Sequence, residues 1–128
     1  MSPDGDEITA SPVADEALTG EILDLLQECA QYGQVKKGAN EVTRALNHNI
    51  YEIVVLAADT EPLAIVGHLP PLAEDKTVPF VYVPSKTALG RACDYNRPVV
   101  AATITRDETS NLTAQINQLK EKIESITV

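Results

Sequence analysis

The chain has no tryptophan, a single phenylalanine and only 4% aromatic residues, although 44% of its 128 residues are hydrophobic. Its core must therefore be made of Val, Ile, Leu and Ala, and this length suffices for one domain without a disulfide or metal. There are two cysteines, Cys29 and Cys93, too few for a zinc framework of four closely spaced ligands. Both have apolar neighbours and read as buried free thiols. No secretory leader and no membrane-length apolar run is legible, so a reducing, intracellular setting without membrane attachment is expected. Also missing are G-x-x-x-x-G-K, G-x-G-x-x-G, H-E-x-x-H and G-x-S-x-G, and no Cys, His and acid set suggests an activated nucleophile. Asp59 and Glu61 can be imagined as paired carboxylates, but no nearby group suggests a substrate. His48 and His68 have no second ligand at metal spacing. The chain reads as non-enzymatic, with no cofactor.

Positive charge is scarce as well: 10 Lys and Arg against 19 Asp and Glu, a net charge of −9. Nucleic-acid affinity is dominated by phosphate neutralisation, so this balance excludes broad polyanion binding. Its distribution leaves room for something narrower. Residues 1–24 carry seven acids (Asp4, Asp6, Glu7, Asp15, Glu16, Glu21, Asp24) and no base, whereas residues 33–97 balance seven bases against seven acids. The middle is locally neutral, with cations at chosen points.

Residues 1–14 hold Ser, Pro, Gly and Asp without apolar periodicity and read as a disordered acidic arm. Residues 15–128 read as one domain. A helix is expected over Ala17–Tyr32, with Leu18, Ile22, Leu25, Leu26 and Cys29 as its apolar stripe and Gly33 as its stop. A short extended piece, Gln34–Lys37, leads through Gly38 into a helix over Ala39–Asn47. Ile50–Ala58 is an apolar, β-branched run expected to be a strand buried on both faces. Pro62 suits a helix start, and Leu63–Leu72 reads as a short helix broken at Pro70-Pro71. Val78–Val83 reads as a strand, Ser85 as the N-cap of a helix reaching Cys93, residues 94–98 as a loop and Val99–Ile104 as a strand. The last helix, Ser110–Ile126, is amphipathic, with Leu112, Ile116, Leu119, Ile123 and Ile126 stepping by helical intervals. Strands alternating with helices imply an α/β fold: a three-layer α/β/α sandwich around a central mixed four-stranded sheet.

The richest stretch runs from Lys36 to Arg44. Asn40 and Arg44 are four apart and Glu41 and Arg44 three apart, so on a helix they share one face. That face offers amide, carboxylate and guanidinium groups, the inventory needed to read base edges. The N–H groups of the first helical turn could hold a phosphate. On residue chemistry alone RNA is the leading ligand, although a plain helix start with Glu41 against the dipole also fits.

Joined with Ala57–Pro62 and Ser85–Cys93, this stretch resembles the kink-turn RNA-binding superfamily of ribosomal and snoRNP proteins. The branch it is most similar to is the one shared by the U4 spliceosomal snRNP and the box C/D snoRNPs. The resemblance runs from about residue 11 to the C-terminus. It implies binding to a kinked stem with tandem sheared G·A pairs beside a three-nucleotide bulge. Asn40, Glu41 and Arg44 would then meet the sheared guanines, Gly38 would allow close backbone approach, and Lys37 would face phosphate. Glu61, Ile65 and Lys86 would form a pocket for the extruded base. The loop from Tyr95 to Val100, including Arg97, would cover that base. A pocket for an unpaired base is how RNA is commonly read, since the deep groove of a paired A-form stem hides its base edges. The chain departs from the family pattern in carrying Arg rather than Lys at 44 and a bulkier Asp94-Tyr95-Asn96 in the covering loop.

Further implications of the resemblance are U4 snRNA and box C/D snoRNA as ligands, Nop-domain proteins as partners, a chain monomeric when free, and a nuclear and nucleolar location. The alternatives are an acidic protein-interaction adaptor of the same fold, or a box H/ACA or ribosomal kink-turn protein.

Overall fold

The computed structural model describes residue 10 and residues 12–105 and 111–126. Five helices, α1 (Glu16–Gln31), α2 (Ala39–Asn47), α3 (Leu69–Asp75), α4 (Lys86–Ala92) and α5 (Thr113–Ile126), alternate with four strands, β1 (Val35–Lys37), β2 (Ile53–Ala57), β3 (Phe80–Val83) and β4 (Ala101–Ile104). The sheet order is β1-β4-β2-β3. β4 runs antiparallel to both β1 and β2, while β2 and β3 are parallel. The mixed four-stranded sheet expected from the sequence is therefore present.

Alternation along each strand divides the core in two. Ile53, Val55 and Ala57 of β2, with Val81 and Val83 of β3, face Leu18, Ile22, Leu25 and Leu26 of α1, Leu89 of α4, and Ile116, Leu119 and Ile123 of α5. Val54 and Leu56, with Phe80 and Tyr82, face Val42 and Leu46 of α2 and Leu69 and Ala73 of α3. Burial on both faces is why β2 reads as an unbroken apolar run. Thr103, the buried polar residue of β4, donates its hydroxyl to the Ile53 carbonyl at 2.8 Å.

Several boundaries differ from expectation. β2 begins at Ile53 because Ile50 belongs to the end of α2, where its N–H donates to the Ala45 carbonyl. β3 begins at Phe80 and β4 at Ala101 rather than Val78 and Val99. Pro70 and Pro71 do not break a helix. They open α3, where first-turn N–H groups lack intrahelical acceptors anyway, and Leu63–Val66 forms a separate 3-10 turn with Pro62 just before it. The expected start of α5 at Ser110 lies outside the described residues.

The N-terminal arm was expected to stay free as far as residue 14. Instead, Pro12–Ala14 lies along the β3 edge, with the Ala14 N–H donating to the Tyr82 carbonyl and the Tyr82 N–H to the Pro12 carbonyl, both at 2.9 Å. This pairing protects an otherwise open sheet edge. The acids at positions 4, 6 and 7 lie outside the described residues.

Candidate functional site

Because β1 and β2 are both antiparallel to β4, and β3 is parallel to β2, the chain leaves β1, β2 and β3 at one end of the sheet and enters β4 there. In open α/β sheets the crevice beyond the strands' carboxyl ends is where ligands bind. Every residue that the resemblance assigns to RNA contact lies in the segments meeting at this end. Lys37, Gly38, Asn40, Glu41 and Arg44 close β1 or begin α2. Glu61 and Ile65 follow β2, Lys86 follows β3, and Tyr95, Arg97 and Val100 precede β4.

The α2 entrance is set by Gly38. Its φ of 100° and ψ of 144° suit glycine, and its N–H donates to the Ala101 carbonyl at 2.8 Å, tying the turn to β4. No side chain caps α2. Asn40, Glu41 and Arg44 are exposed on it, as their spacing requires. Arg44 Nη1 donates to Glu41 Oε2 at 3.3 Å. Both side chains are exposed, and a solvated pair of this kind is worth at most about 1 kcal/mol, so a ligand can separate it.

A groove of about 530 Å³ runs between this entrance and the loop before β4. Val35, Lys36, Lys37, Gly38 and Glu41 form one wall, and Tyr95, Pro98, Val99 and Val100 the other. Across it Lys37 Nζ sits 5.0 Å from the centre of the Tyr95 ring, within cation–π range. Tyr95 remains 44% exposed. Cys93 lies buried nearby; desolvation pushes its thiol up to about 11, with Lys37 pulling in the opposite direction.

The remaining residues lie along the same end but outside the groove. Asp59 Oδ1 accepts the Lys86 N–H at 2.9 Å and Ser85 Oγ accepts the Ala88 N–H at 3.1 Å, so two of the first-turn donors of α4 are met by side chains. Asp59 therefore holds two loops together rather than standing as half of a carboxylate pair. The Lys86 carbonyl in turn accepts the Val99 N–H, and the Val100 carbonyl the Ala57 N–H. Ile65, in the 3-10 turn, is 48% exposed although its apolar sequence neighbourhood suggests core. Arg97 is exposed, while its backbone packs on α4.

That packing depends on Gly90, which sequence reasoning passed over. A Cβ at this position would lie 2.1 Å from the Arg97 carbonyl oxygen. Only glycine lets the loop lie flat on the helix, and the sole local hint is a glycine inside a helical pattern. Lys36, Pro98 and Val99 also line the groove without having been singled out.

Among the described residues no three His, Cys, Asp or Glu side chains are grouped to hold a metal, and no helix is long and apolar enough to cross a membrane.

Comparison with known proteins bears on the same region. The model of the ribosomal protein L7Ae/L30e/S12e/Gadd45 family matches residues 20–114. The chain is 56% identical over 119 residues to the 13 kDa ribonucleoprotein-associated protein of Mycosarcoma maydis, covering 93% of this chain and 94% of that one. It is 52% identical over 128 residues to the small nuclear ribonucleoprotein associated homolog 13 of Caenorhabditis elegans, covering 100% of each. Among solved structures, the Giardia lamblia 15.5kD RNA binding protein superposes with a TM-score of 0.87 at 39% identity, covering 91% of this chain and 96% of that one.

Proposed function

The chain belongs to the ribosomal protein L7Ae/L30e/S12e/Gadd45 family, and from that premise we propose that it is a non-catalytic RNA-binding protein that reads kink-turns. The observation that carries this reading is the single end of the sheet where a positive-φ glycine, the exposed amide, carboxylate and guanidinium of Asn40, Glu41 and Arg44, and a cation-bearing groove meet. Asn40, Glu41 and Arg44 meet the sheared G·A pairs, with Glu41 leaving Arg44 to accept from guanine N–H groups. Gly38 brings the backbone close and Lys37 neutralises phosphate. Glu61, Ile65 and Lys86 hold the extruded base, and the exposure of Ile65 supplies the apolar surface such a base needs. Arg97 and Val100, in the loop that begins at Tyr95, close over it.

The RNAs in this reading are U4 snRNA and box C/D snoRNAs, and the bound complex presents a surface to Nop-domain proteins in the nucleus and nucleolus. The chain then nucleates tri-snRNP assembly for splicing and box C/D particles for rRNA processing and 2′-O-methylation, and is a monomer when free. The names of the fungal and nematode relatives, one ribonucleoprotein-associated and one small nuclear ribonucleoprotein associated, support this direction. One observation favours a protein adaptor instead: Glu21, Asp24 and Glu28 line a groove between α1 and α5, on a chain of net charge −9.

A filter-binding titration separates the two. A short kink-turn RNA is compared with a control whose sheared G·A pairs are made Watson–Crick. Tight binding to the kinked RNA alone is expected, and Glu41→Ala should weaken it by about 1–3 kcal/mol, the worth of a base-edge contact. Equal or absent binding to both RNAs turns the case to the adaptor.

A further inference from the structure

Tyr95 is held more firmly than its exposure suggests. Its N–H donates to the Gly90 carbonyl at 3.0 Å, the preceding Asp94 has a φ of 59° and donates its N–H to the Arg91 carbonyl, and the following loop is pressed onto Gly90 at Arg97. The backbone carrying the ring is thus pinned to α4 from both sides. The phenol meets Lys37 at 5.0 Å and still leaves 44% of the residue exposed. A flat ring kept in place beside Lys36 and Lys37, in a groove of about 530 Å³, is a platform that costs little ordering when a planar group settles on it.

We propose that Tyr95 is a stacking platform for a second unpaired nucleobase of the bound RNA, distinct from the base held by Glu61, Ile65 and Lys86; the inference rests on the kink-turn reading. Charge complementarity selects the occupant. Lys36 and Lys37 share one wall of the groove with Glu41, whose carboxylate is taken up by Arg44, so the wall is net cationic and the planar group arrives with its own phosphate. Bases stack on aromatic faces whatever their identity, and a purine covers more of the ring than a pyrimidine. Lys37 either stays under the ring as the base takes its open side or swings to the phosphate; both leave the stack in place.

The test is a double-mutant cycle between protein and RNA. Each of the three bulge nucleotides of a kink-turn RNA is made abasic in turn, and its affinity is measured with the wild-type chain, Tyr95→Leu and Tyr95→Phe. One abasic position other than the pocketed base should weaken wild-type and Tyr95→Phe binding by about 5- to 150-fold, the range a stacked base supplies. The same position should cost Tyr95→Leu almost nothing. 2-Aminopurine placed there should be quenched on binding by wild type and Tyr95→Phe but not by Tyr95→Leu. Equal penalties in all three proteins at every bulge position would mean that Tyr95 only answers Lys37, and would overturn the platform while leaving kink-turn reading intact. If the Watson–Crick control binds as well as the kinked RNA, the reading itself fails and the platform with it.

Discussion

Two glycines shape the strand end that carries the candidate site for different reasons, and substituting each separates those reasons. Gly38 has open space around the position a Cβ would occupy, so Gly38→Ala meets only the cost of a φ of 100°. That cost is roughly 1–3 kcal/mol, because a ψ of 144° puts the residue in a region open essentially to glycine alone. Gly90→Ala meets the Arg97 backbone carbonyl at 2.1 Å, and backbone cannot yield as a flexible side chain would. We expect it to destabilise by about 1–3 kcal/mol in urea unfolding. It should also weaken RNA binding beyond the stability loss, since the displaced loop carries Tyr95. Unchanged RNA affinity in a folded Gly90→Ala would separate that loop from recognition. The first glycine was legible because it interrupts a charged stretch before a helix pattern. The second was not, because the atom that excludes a side chain comes from a loop seven positions later. The two thiols make a pH statement at the same scale. Burial pushes both Cys29 and Cys93 up to about 11 from the usual 9.0. The folded state therefore disfavours thiolate, and the stability this confers is complete below pH 9 and is lost as pH rises from there through 11. Native protein at pH 8 should accordingly react with a disulfide reagent far more slowly than protein in urea; comparable rates would contradict the burial.

Four helices end the same way, and three of those endings were readable to within a residue. In α1, α2, α3 and α4 the third residue past the helix donates to a carbonyl five positions back: Gln34 to Cys29, Ile50 to Ala45, Val78 to Ala73 and Tyr95 to Gly90. The residue before each of these lies in the left-handed region, namely Gly33, Asn49, Thr77 and Asp94. This is the paired hydrogen-bond ending that glycine favours. Gly33 announced itself, and the expected ends at Asn47 and Cys93 fall within a residue of those of α2 and α4, whereas Thr77 gave no signal for the end of α3 at Asp75. The pattern ranks the positions. A β-branched residue suffers most in this conformation and Asn least, so Thr77→Gly should stabilise by about 1 kcal/mol, Asp94→Gly by less, and Asn49→Gly hardly at all. Thermal or urea unfolding of the three variants checks the order, and an Asn49→Gly gain matching that of Thr77→Gly would defeat it. Asp94→Gly has a second use. It frees the turn that presents Tyr95, so it should raise stability while lowering RNA affinity if a pinned ring matters. Elements with an interior signal were legible: α2 to the residue from its loop-to-helix chemistry, β2 to within three residues from its apolar run. Their ends were decided by hydrogen bonds between segments, as at Ile50 and Pro70-Pro71, which periodicity does not encode.

At the scale of the whole molecule, charge is sorted by position in the fold. Lys36, Lys37, Arg44, Lys86 and Arg97, half of the 10 basic residues, lie where the strands open toward the groove. Lys120 and Lys122 are instead taken up by Glu52 and Glu21 on the helical faces, and α1 adds Glu16, Asp24 and Glu28. From sequence alone the central neutrality was visible, but its gathering at one end was not. That gathering follows from β4 running antiparallel, which brings segments more than fifty residues apart to the same edge. Two of the five cations are already engaged, Arg44 with Glu41 and Lys37 with the Tyr95 ring. Binding should therefore neutralise only about two to four phosphates, giving a slope of log affinity against log salt of about −2 to −4. Between 50 and 200 mM salt, with magnesium constant so that the kink stays formed, affinity should fall about 10- to 150-fold. A protein covering six to ten phosphates would lose about 10³- to 10⁵-fold over the same range. The acidic far faces act in the same direction, disfavouring any pose in which RNA wraps the molecule and orienting approach toward the one cationic end. A slope near −6 or steeper would mean that RNA spreads over surfaces the fold keeps acidic, and that shape-specific reading at the strand end is not the source of affinity.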